Sequence, residues 1–560
     1  MPEAQTTTRR RGDPWPVRRR RLLRRALVAA GLVAVLALAA LLVKSLLADS
    51  DAEALAERFG EAWAGEEYGA MYDLLDATSH TETSEEDFAA AYTDAATTAT
   101  ATAVVPGEAR EAEGDAILPV TVTTEIFGTV AHDVEVETSG EADDLLVAWA
   151  PHMVFPGLAG DEELRRRTRA PERAALLARD GTVLAEGEPG ERSSELGVDA
   201  GSVTGTIAPP ATEEESESLF ARGFPDDTLV GVTGLERIFE LELAGRPGGV
   251  LLAGEREIAR SEPQAADPVN TTIEPAVQEA AALALTQLGG IAVLDAHTAE
   301  VRGLVGVAAT GPQPPGSTFK IVTTTAALEE GLVTPSEEFP VETAALIDGV
   351  EIDNAHGEAC GGSFTTSFAR SCNSVFAPLG VEVGAERFVE TSERYGLNEE
   401  PSIASADTST IPQPDEIESD LELGATAIGQ GELLVTPLQL ASIAQTIAND
   451  GKQIEPRVAP DEPPQRQRIT SQEVANTIEE LMVEVVSSGT GTSAAIEGIE
   501  VAGKTGTAEL GEDIQEHAWF TAFAPAGNDP KLAIAVMIAN GGAGGEVAAP
   551  VARTVLEAGL

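Results

Sequence analysis

Lysine and cysteine are scarce in this chain of 560 residues. The only lysines are Lys44, Lys320, Lys452, Lys504 and Lys531, against 31 arginines. Arginine serves wherever a generic positive charge suffices, so a retained lysine points to an amine that must be able to lose its proton. There are two cysteines, Cys360 and Cys372, twelve positions apart. A zinc site built on them with His356 lacks a fourth ligand and the usual paired spacing, so no metal is expected. Positive charge is also short, with 36 Lys and Arg against 93 Asp and Glu and a net of −57. A body so negative repels phosphate backbones, which excludes nucleic acid as a partner. Long hydrophobic runs are absent apart from one near the start. Even so, 43% of residues are apolar and they recur throughout, so long-range disorder is excluded and several domains are expected.

The charge is unevenly placed. Residues 1–48 hold nine Arg and Lys44 against Glu3 and Asp13, a net of +8, which leaves the remainder at −65. Such a charge opposes compactness at low ionic strength, and a salty or acid-tolerant habitat is expected. After the Arg cluster, Ala26 to Val43 is an apolar run of 18 residues, the lower limit for a membrane-spanning helix. The positive-inside rule then gives a cytoplasmic tail at 1–25, an anchor at 26–47 and an extracytoplasmic body: a single-pass cell-membrane protein. A cleaved signal peptide is the alternative; the run is long for one and no A-x-A stands at its end. Outside the membrane a Cys360–Cys372 disulfide is permitted and would contribute on the order of 3 kcal/mol. Two free, partly buried thiols are the alternative.

Between 51 and 75, Leu55, Phe59 and Trp63, then Tyr68, Met71 and Leu74, recur at helical spacing. Glu85 to Thr97 is helical, and alternating segments at Ile117 and Val134 follow, so 51–156 reads as a small α+β domain. Residues 157–270 are rich in Gly, Pro and Glu, with Glu213 to Glu217 a solvated face or loop. From 271 to 560 the pattern is α/β. Helices are expected at Ala276–Leu288, Ser317–Glu330 and Val551–Ala558, and strands at Ile291–Asp295, Val301–Val307, Trp519–Ala524 and Lys531–Ile538.

Three short motifs carry chemistry. In Pro315-Gly316-Ser317-Thr318-Phe319-Lys320, Ser317 and Lys320 share one helix face. A serine hydroxyl needs a neighbouring base to become a nucleophile, and a desolvated lysine serves as one. Backbone N–H groups at such a helix start also stabilise a developing oxyanion. In Ser371-Cys372-Asn373, Ser371 can pass protons while Asn373 holds a peptide amide. In Lys504-Thr505-Gly506-Thr507, Gly506 lets an extended peptide approach a strand edge, and Lys504, Thr505 and Thr507 offer charge and hydroxyls to a carboxylate. Each motif alone is weak; the S-x-x-K, S-x-N, K-T-G set in this order is strong.

With that set in place, residues 148–560 resemble the class B penicillin-binding proteins, the serine D,D-transpeptidases of bacterial wall synthesis. Gly429-Gln430-Gly431, Thr436-Pro437-Leu438, Gly489-Thr490 and His517-Ala518-Trp519-Phe520 fit the same family. So do Arg173 through Ala185, with Ala174 and Ala178 in place of the family's Gly and Asp, and the stretches Gly234–Arg237 and Gly245–Gly248. Residues 51–156 resemble the nuclear-transport-factor-2-like domain of methicillin-resistance-type members. The resemblance implies a mainly β pedestal or dimerisation domain at 157–270. It also implies a penicilloyl-serine transpeptidase domain at 271–560, an antiparallel sheet flanked by helices.

It further implies Ser317 as nucleophile, Lys320 as general base, Ser371 as proton relay, and Lys504 tuning Ser371. Asn373 would hold the donor amide, Thr505, Gly506 and Thr507 would bind substrate, and the N–H groups of Ser317 and Thr507 would hold the oxyanion. The substrates would be a stem peptide ending in D-Ala-D-Ala and an amine acceptor. β-Lactams would acylate the enzyme, no cofactor is needed, and a separate glycan polymerase would be the partner. A D,D-carboxypeptidase, a β-lactamase or a β-lactam sensor is the alternative. Class A β-lactamases carry an E-x-x-L-N element, and Glu393 to Asn398 is one residue too long for it.

Overall fold

The computed structural model describes residues 51–560 except 114, 141–143, 198, 199 and 510–514. The expected anchor at 26–47 lies outside the described residues. Among those described, no helix is long and apolar enough to cross a membrane. The chain divides into two compact units. One runs to Thr168 and takes in Phe220–Gly223 and Gly248–Glu262; the other comprises Arg169–Leu219, Phe224–Pro247 and Pro263–Leu560.

The first unit opens with α1 (Asp51–Ala64), whose buried Leu55, Phe59 and Trp63 sit four apart on one face. The helical spacing does not continue to Leu74 as a single helix. Glu66 takes φ +56°, which ends the first helix before a short second one at Tyr68–Tyr72. Helix α2 (Glu85–Ala99) starts where the Ser84 side chain accepts from the Asp87 N–H, an N-cap bond. An antiparallel sheet follows: β1 (Ala101–Pro106), β2 (Arg110–Ala112), β3 (Asp115–Thr124) and β4 (Gly128–Val136), with β3 pairing to all the others. Alternate residues of β3, among them Leu118, Val120 and Val122, face a core shared with Phe59, Phe88 and Tyr92. Strand Gly248–Ala253 adds Leu251 and Ala253 to that core.

In the second unit Arg173, in the segment that resembles the family's pedestal motif, is buried against Glu236 (2.7 Å) and Glu240 (2.7 Å). Arg192 reaches the other oxygen of Glu236 at 2.9 Å. Three elements far apart in sequence are thus joined by buried, hydrogen-bonded charge. Glu213–Ala221 is a helix, anchored by its one buried residue, Leu219, with most of its glutamates in solvent.

The catalytic-type motifs sit on a five-stranded antiparallel sheet in the order β6–β5–β13–β12–β11. Its strands are β5 (Gly289–Asp295), β6 (Val301–Gly306), β11 (Ala502–Ala508), β12 (His517–Ala524) and β13 (Leu532–Ile538). Period-two alternation splits β12: Ala518, Phe520 and Ala522 face one core, Trp519 and Phe523 the other. On the first face lie α3 (Pro275–Ala284), through Val277 and Ala281, and the closing helix α8 (Ala548–Gly559), through Ala552, Val555 and Leu556. On the second lie α4 (Lys320–Glu329), α5 (Asn373–Val383) and α6 (Pro437–Ala448). Every residue of α6 apart from Gln439 is buried, as befits a helix apolar nearly all round. Helix α7 (Gln472–Ser487) packs against β11. Between α4 and α5 the chain forms four short strands, β7 (Glu338–Glu342), β8 (Ala344–Ile347), β9 (Val350–Asp353) and β10 (Cys360–Ser363), paired β7 with β10 and β8 with β9.

Candidate active site

Ser317 lies in a 3-10 turn, Gly316–Phe319, that leads into α4. The expected continuous helix from 317 therefore starts with a tighter turn, in which residues three apart eclipse one another. Lys320, three residues on, is completely buried. Its Nζ donates to Ser371 O (2.8 Å), Ser371 Oγ (3.2 Å) and Asn373 Oδ1 (2.7 Å). Lys504, also fully buried, comes from β11 and donates to the same Ser371 Oγ at 2.9 Å and to Thr505 O at 3.0 Å. One hydroxyl thus stands between two amines. The ring of Phe376 lies 5.3 Å from Lys320 Nζ and that of Phe368 lies 5.7 Å from Lys504 Nζ, so aromatic faces back both amines.

The electrostatics follow from that crowding. Burial pushes Lys320 well below the ordinary lysine value, and the charge of Lys504 pushes it further. Burial lowers Lys504 to about 7. Near neutrality the pair therefore does not carry two full charges, and one amine is free to accept a proton. Ser317 is half-buried, and its Oγ makes no hydrogen bond among the described residues.

Ser371 takes φ +62°, a left-handed conformation uncommon for a residue with a Cβ. The chain around it is tied by covalent and hydrogen bonds. A disulfide joins Cys360 on β10 to Cys372, with the Cα atoms 5.4 Å apart. Asn373 spends both ends of its amide, Oδ1 on Lys320 and Nδ2 on the Asp353 carbonyl at 2.8 Å. Thr505 Oγ1 meets Thr490 Oγ1 at 2.5 Å, and Thr507 Oγ1 accepts from the Gly544 N–H at 3.4 Å.

Close backbone packing brings the first and third motifs together: a Cβ on Gly506 would stand 2.7 Å from Pro315 O. The Gly316 N–H donates to Gly429 O at 2.9 Å, and a Cβ on Gly429, itself at φ +84°, would stand 1.9 Å from Gly316 O. A Cβ on Gly544 would lie 2.2 Å from the carbonyls of Gly506 and Trp519. These glycines are required by approach distance, not by flexibility.

All the residues singled out from the sequence, Ser317, Lys320, Ser371, Asn373, Lys504, Thr505, Gly506 and Thr507, fall in this one region. Sequence reasoning did not find Asp353, Asn354 or Gly544. The Gly541–Gly545 cluster was the one available signal for the last. Among the described residues no group of His, Cys, Asp and Glu has the arrangement of a metal site.

The profile of the penicillin binding protein transpeptidase domain matches residues 289–557, and that of the NTF2-like N-terminal transpeptidase domain matches 51–162. The chain is 38% identical over 275 residues to the peptidoglycan D,D-transpeptidase PbpA of Mycolicibacterium smegmatis, covering 44% of this chain and 55% of that protein. It is 31% identical over 391 residues to the penicillin-binding protein PbpB of the same organism, covering 57% and 60%. The matched stretch is therefore little more than half the length of these relatives. Among solved structures, the ceftriaxone acyl-enzyme of M. tuberculosis penicillin-binding protein A superposes with a TM-score of 0.58 at 28% identity, over 70% of this chain and 98% of that one. With both domain profiles matched in sequence order and the three motifs converging on one hydroxyl, the chain belongs to the penicillin-binding proteins, with an NTF2-like domain ahead of its transpeptidase domain.

Proposed function

We propose that this protein is a peptidoglycan D,D-transpeptidase that cross-links stem peptides through a serine acyl-enzyme. The observation that carries the reading is Ser371 Oγ held between the buried amines of Lys320 and Lys504, with Ser317 one turn ahead of Lys320. Neutral Lys320 takes the proton of Ser317 as its Oγ attacks the carbonyl of the penultimate D-Ala. The tetrahedral oxyanion is held by the backbone N–H groups of Ser317 and Thr507. When the C–N bond breaks, the proton passes from Lys320 through Ser371 Oγ to the departing D-Ala amine. An acceptor amine then attacks the ester, gives up its proton along the same relay, and Ser317 leaves reprotonated. Lys504 holds Ser371 in line, and Thr505 and Thr507 face the terminal carboxylate. A β-lactam follows the first half of this route and stops there, as the acyl-enzyme named for the M. tuberculosis relative suggests.

We assign the catalytic domain to 271–560, the pedestal to 157–270, the NTF2-like domain to 51–156 and a single membrane anchor to 26–47. A separate glycan polymerase supplies the strands to be joined. A class A β-lactamase mechanism is disfavoured because Glu393 to Asn398 is one residue too long for its E-x-x-L-N element; Glu393 Oε1 accepts from the amides of Asn398 (3.1 Å) and Gln413 (3.2 Å). The test is partitioning. Given a D-Ala-D-Ala stem peptide and an amine acceptor, the full chain should release D-Ala and join the two peptides, and Ser317→Ala should do neither. Release of D-Ala without joining would make it a carboxypeptidase. Acylation by β-lactam with no peptide turnover would make it a sensor.

A further inference from the structure

The helix that carries Asn373 has an unusual start. Its N-cap residue is Cys372, whose side chain makes no capping bond because its sulfur is committed to Cys360. Helix N-termini leave backbone N–H groups without partners, and an N-cap side-chain oxygen ordinarily accepts one of them. Here the oxygen comes from elsewhere. Asn354, twenty residues upstream, accepts from the Ser374 N–H through Oδ1 at 2.8 Å. Its Nδ2 donates to the carbonyls of Glu342 (2.8 Å) and Glu358 (3.0 Å). Asn354 is 5% exposed and its amide orientation is fixed by these partners, two acceptors on one side and one donor on the other.

The neighbouring residue adds a second tie, since the Asp353 carbonyl accepts from Asn373 Nδ2. Ser374 Oγ further donates to Cys360 O at 3.3 Å. The segment 353–354 therefore holds the first turn of α5 at two consecutive residues, Asn373 and Ser374. Through Asn373 Oδ1 that turn reaches Lys320 Nζ, and immediately before it stands Ser371, in its left-handed conformation.

We propose that Asn354 is a positioning residue for acylation: it caps α5 from outside the helix and so sets Asn373 and Ser371 against Lys320. The role presupposes the acyl-enzyme chemistry proposed above. Loss of the cap leaves the half-buried Ser374 N–H without its partner and lets the first turn shift. A displacement on the order of 1 Å there costs roughly 100-fold in rate. An aspartate at 354 keeps the capping oxygen and places negative charge at a helix N-terminus, which is favourable, while losing both donor bonds to the loop.

The experiment is the rate of benzylpenicillin acylation of the full chain in detergent, followed by intact mass across pH, for wild type, Asn354→Ala and Asn354→Asp. Thermal denaturation of each runs in parallel. Asn354→Ala should acylate roughly 10- to 100-fold more slowly well below its melting temperature. Its acid limb should move to lower pH, because Lys320 loses a carbonyl acceptor that favours its charged form. Asn354→Asp should acylate near the wild-type rate even though it melts earlier. A wild-type rate and unmoved pH profile in Asn354→Ala would overturn the proposal, as would a folded Asn354→Asp as slow as the alanine variant. Should the alanine variant not fold, the aspartate variant decides alone: folded and fast supports the cap, folded and slow refutes it. A wild type that fails to acylate would remove the transpeptidase reading itself, and this role with it, before either variant is compared.

Discussion

At the scale of residues, the site turns on two lysines that share one serine hydroxyl. In the proposed mechanism Lys320 acts neutral, and a charged Lys504 holds Ser371 in line. Lys320 carries the additional repulsion of Lys504, so it deprotonates first as pH rises, and Lys504 follows at about 7. Benzylpenicillin acylation should therefore trace a bell, rising as Lys320 deprotonates and falling as Lys504 does. Stopped-flow rates that climb steadily to pH 10 would contradict the assignment. The same depression has a cost in stability. Both native values lie below the unfolded lysine value of about 10.4, so the unfolded chain binds more protons in between. The penalty is complete below the native value and disappears above the unfolded one. Lys504→Met should accordingly raise stability at pH 6 by roughly 1 kcal/mol or more, judged by urea denaturation, while abolishing acylation. The sequence disclosed these lysines because the chain has so few. Asn354 was hidden, since the need for a distant cap exists only once the Cys372 sulfur is occupied.

At the scale of elements, the second motif is strapped to a loop by the Cys360–Cys372 disulfide, and the first is seated on a glycine turn. Replacing both cysteines by alanine should lower unfolding free energy by about 3 kcal/mol, measured by urea titration. A change near zero would mean the loop is already ordered without the bond. Gly429→Ala meets the Gly316 carbonyl in a backbone conformation that disfavours a Cβ. Acylation at Ser317 should fall roughly 10-fold or more while the far-ultraviolet spectrum is unchanged. Long periodic elements such as α1 and the β12 strand were readable because their alternation or spacing matches one buried face. The break at Glu66 and the helix at Glu213–Ala221 were not. The first depends on a single φ angle, and the second is anchored by one leucine amid glutamates. The short strands β7 to β10, four or five residues each, are too short for alternation to announce them.

At the scale of the whole molecule, 93 acidic residues against 36 basic ones cannot each have a cation of their own. Arginines are accordingly shared, as Arg387 is among Glu329, Glu330 and Glu390. Raising ionic strength from about 0.01 M to about 0.15 M should therefore raise the melting temperature by a few degrees, because it screens repulsion between exposed carboxylates. A steady fall with salt would show that the paired arginines dominate instead. The domain order and the convergence of the three motifs are also properties of this scale. Lys320, Ser371 and Lys504 are 51 and 133 residues apart, and only the fold brings the two amines to one hydroxyl.

The proposed acyl-enzyme is a covalent bond to Ser317. Intact-mass spectrometry of the full chain after incubation with benzylpenicillin, with peptide mapping over hours, tests it directly. A persistent one-to-one adduct on Ser317, absent in Ser317→Ala, is the predicted result. An adduct elsewhere, or none, would contradict it.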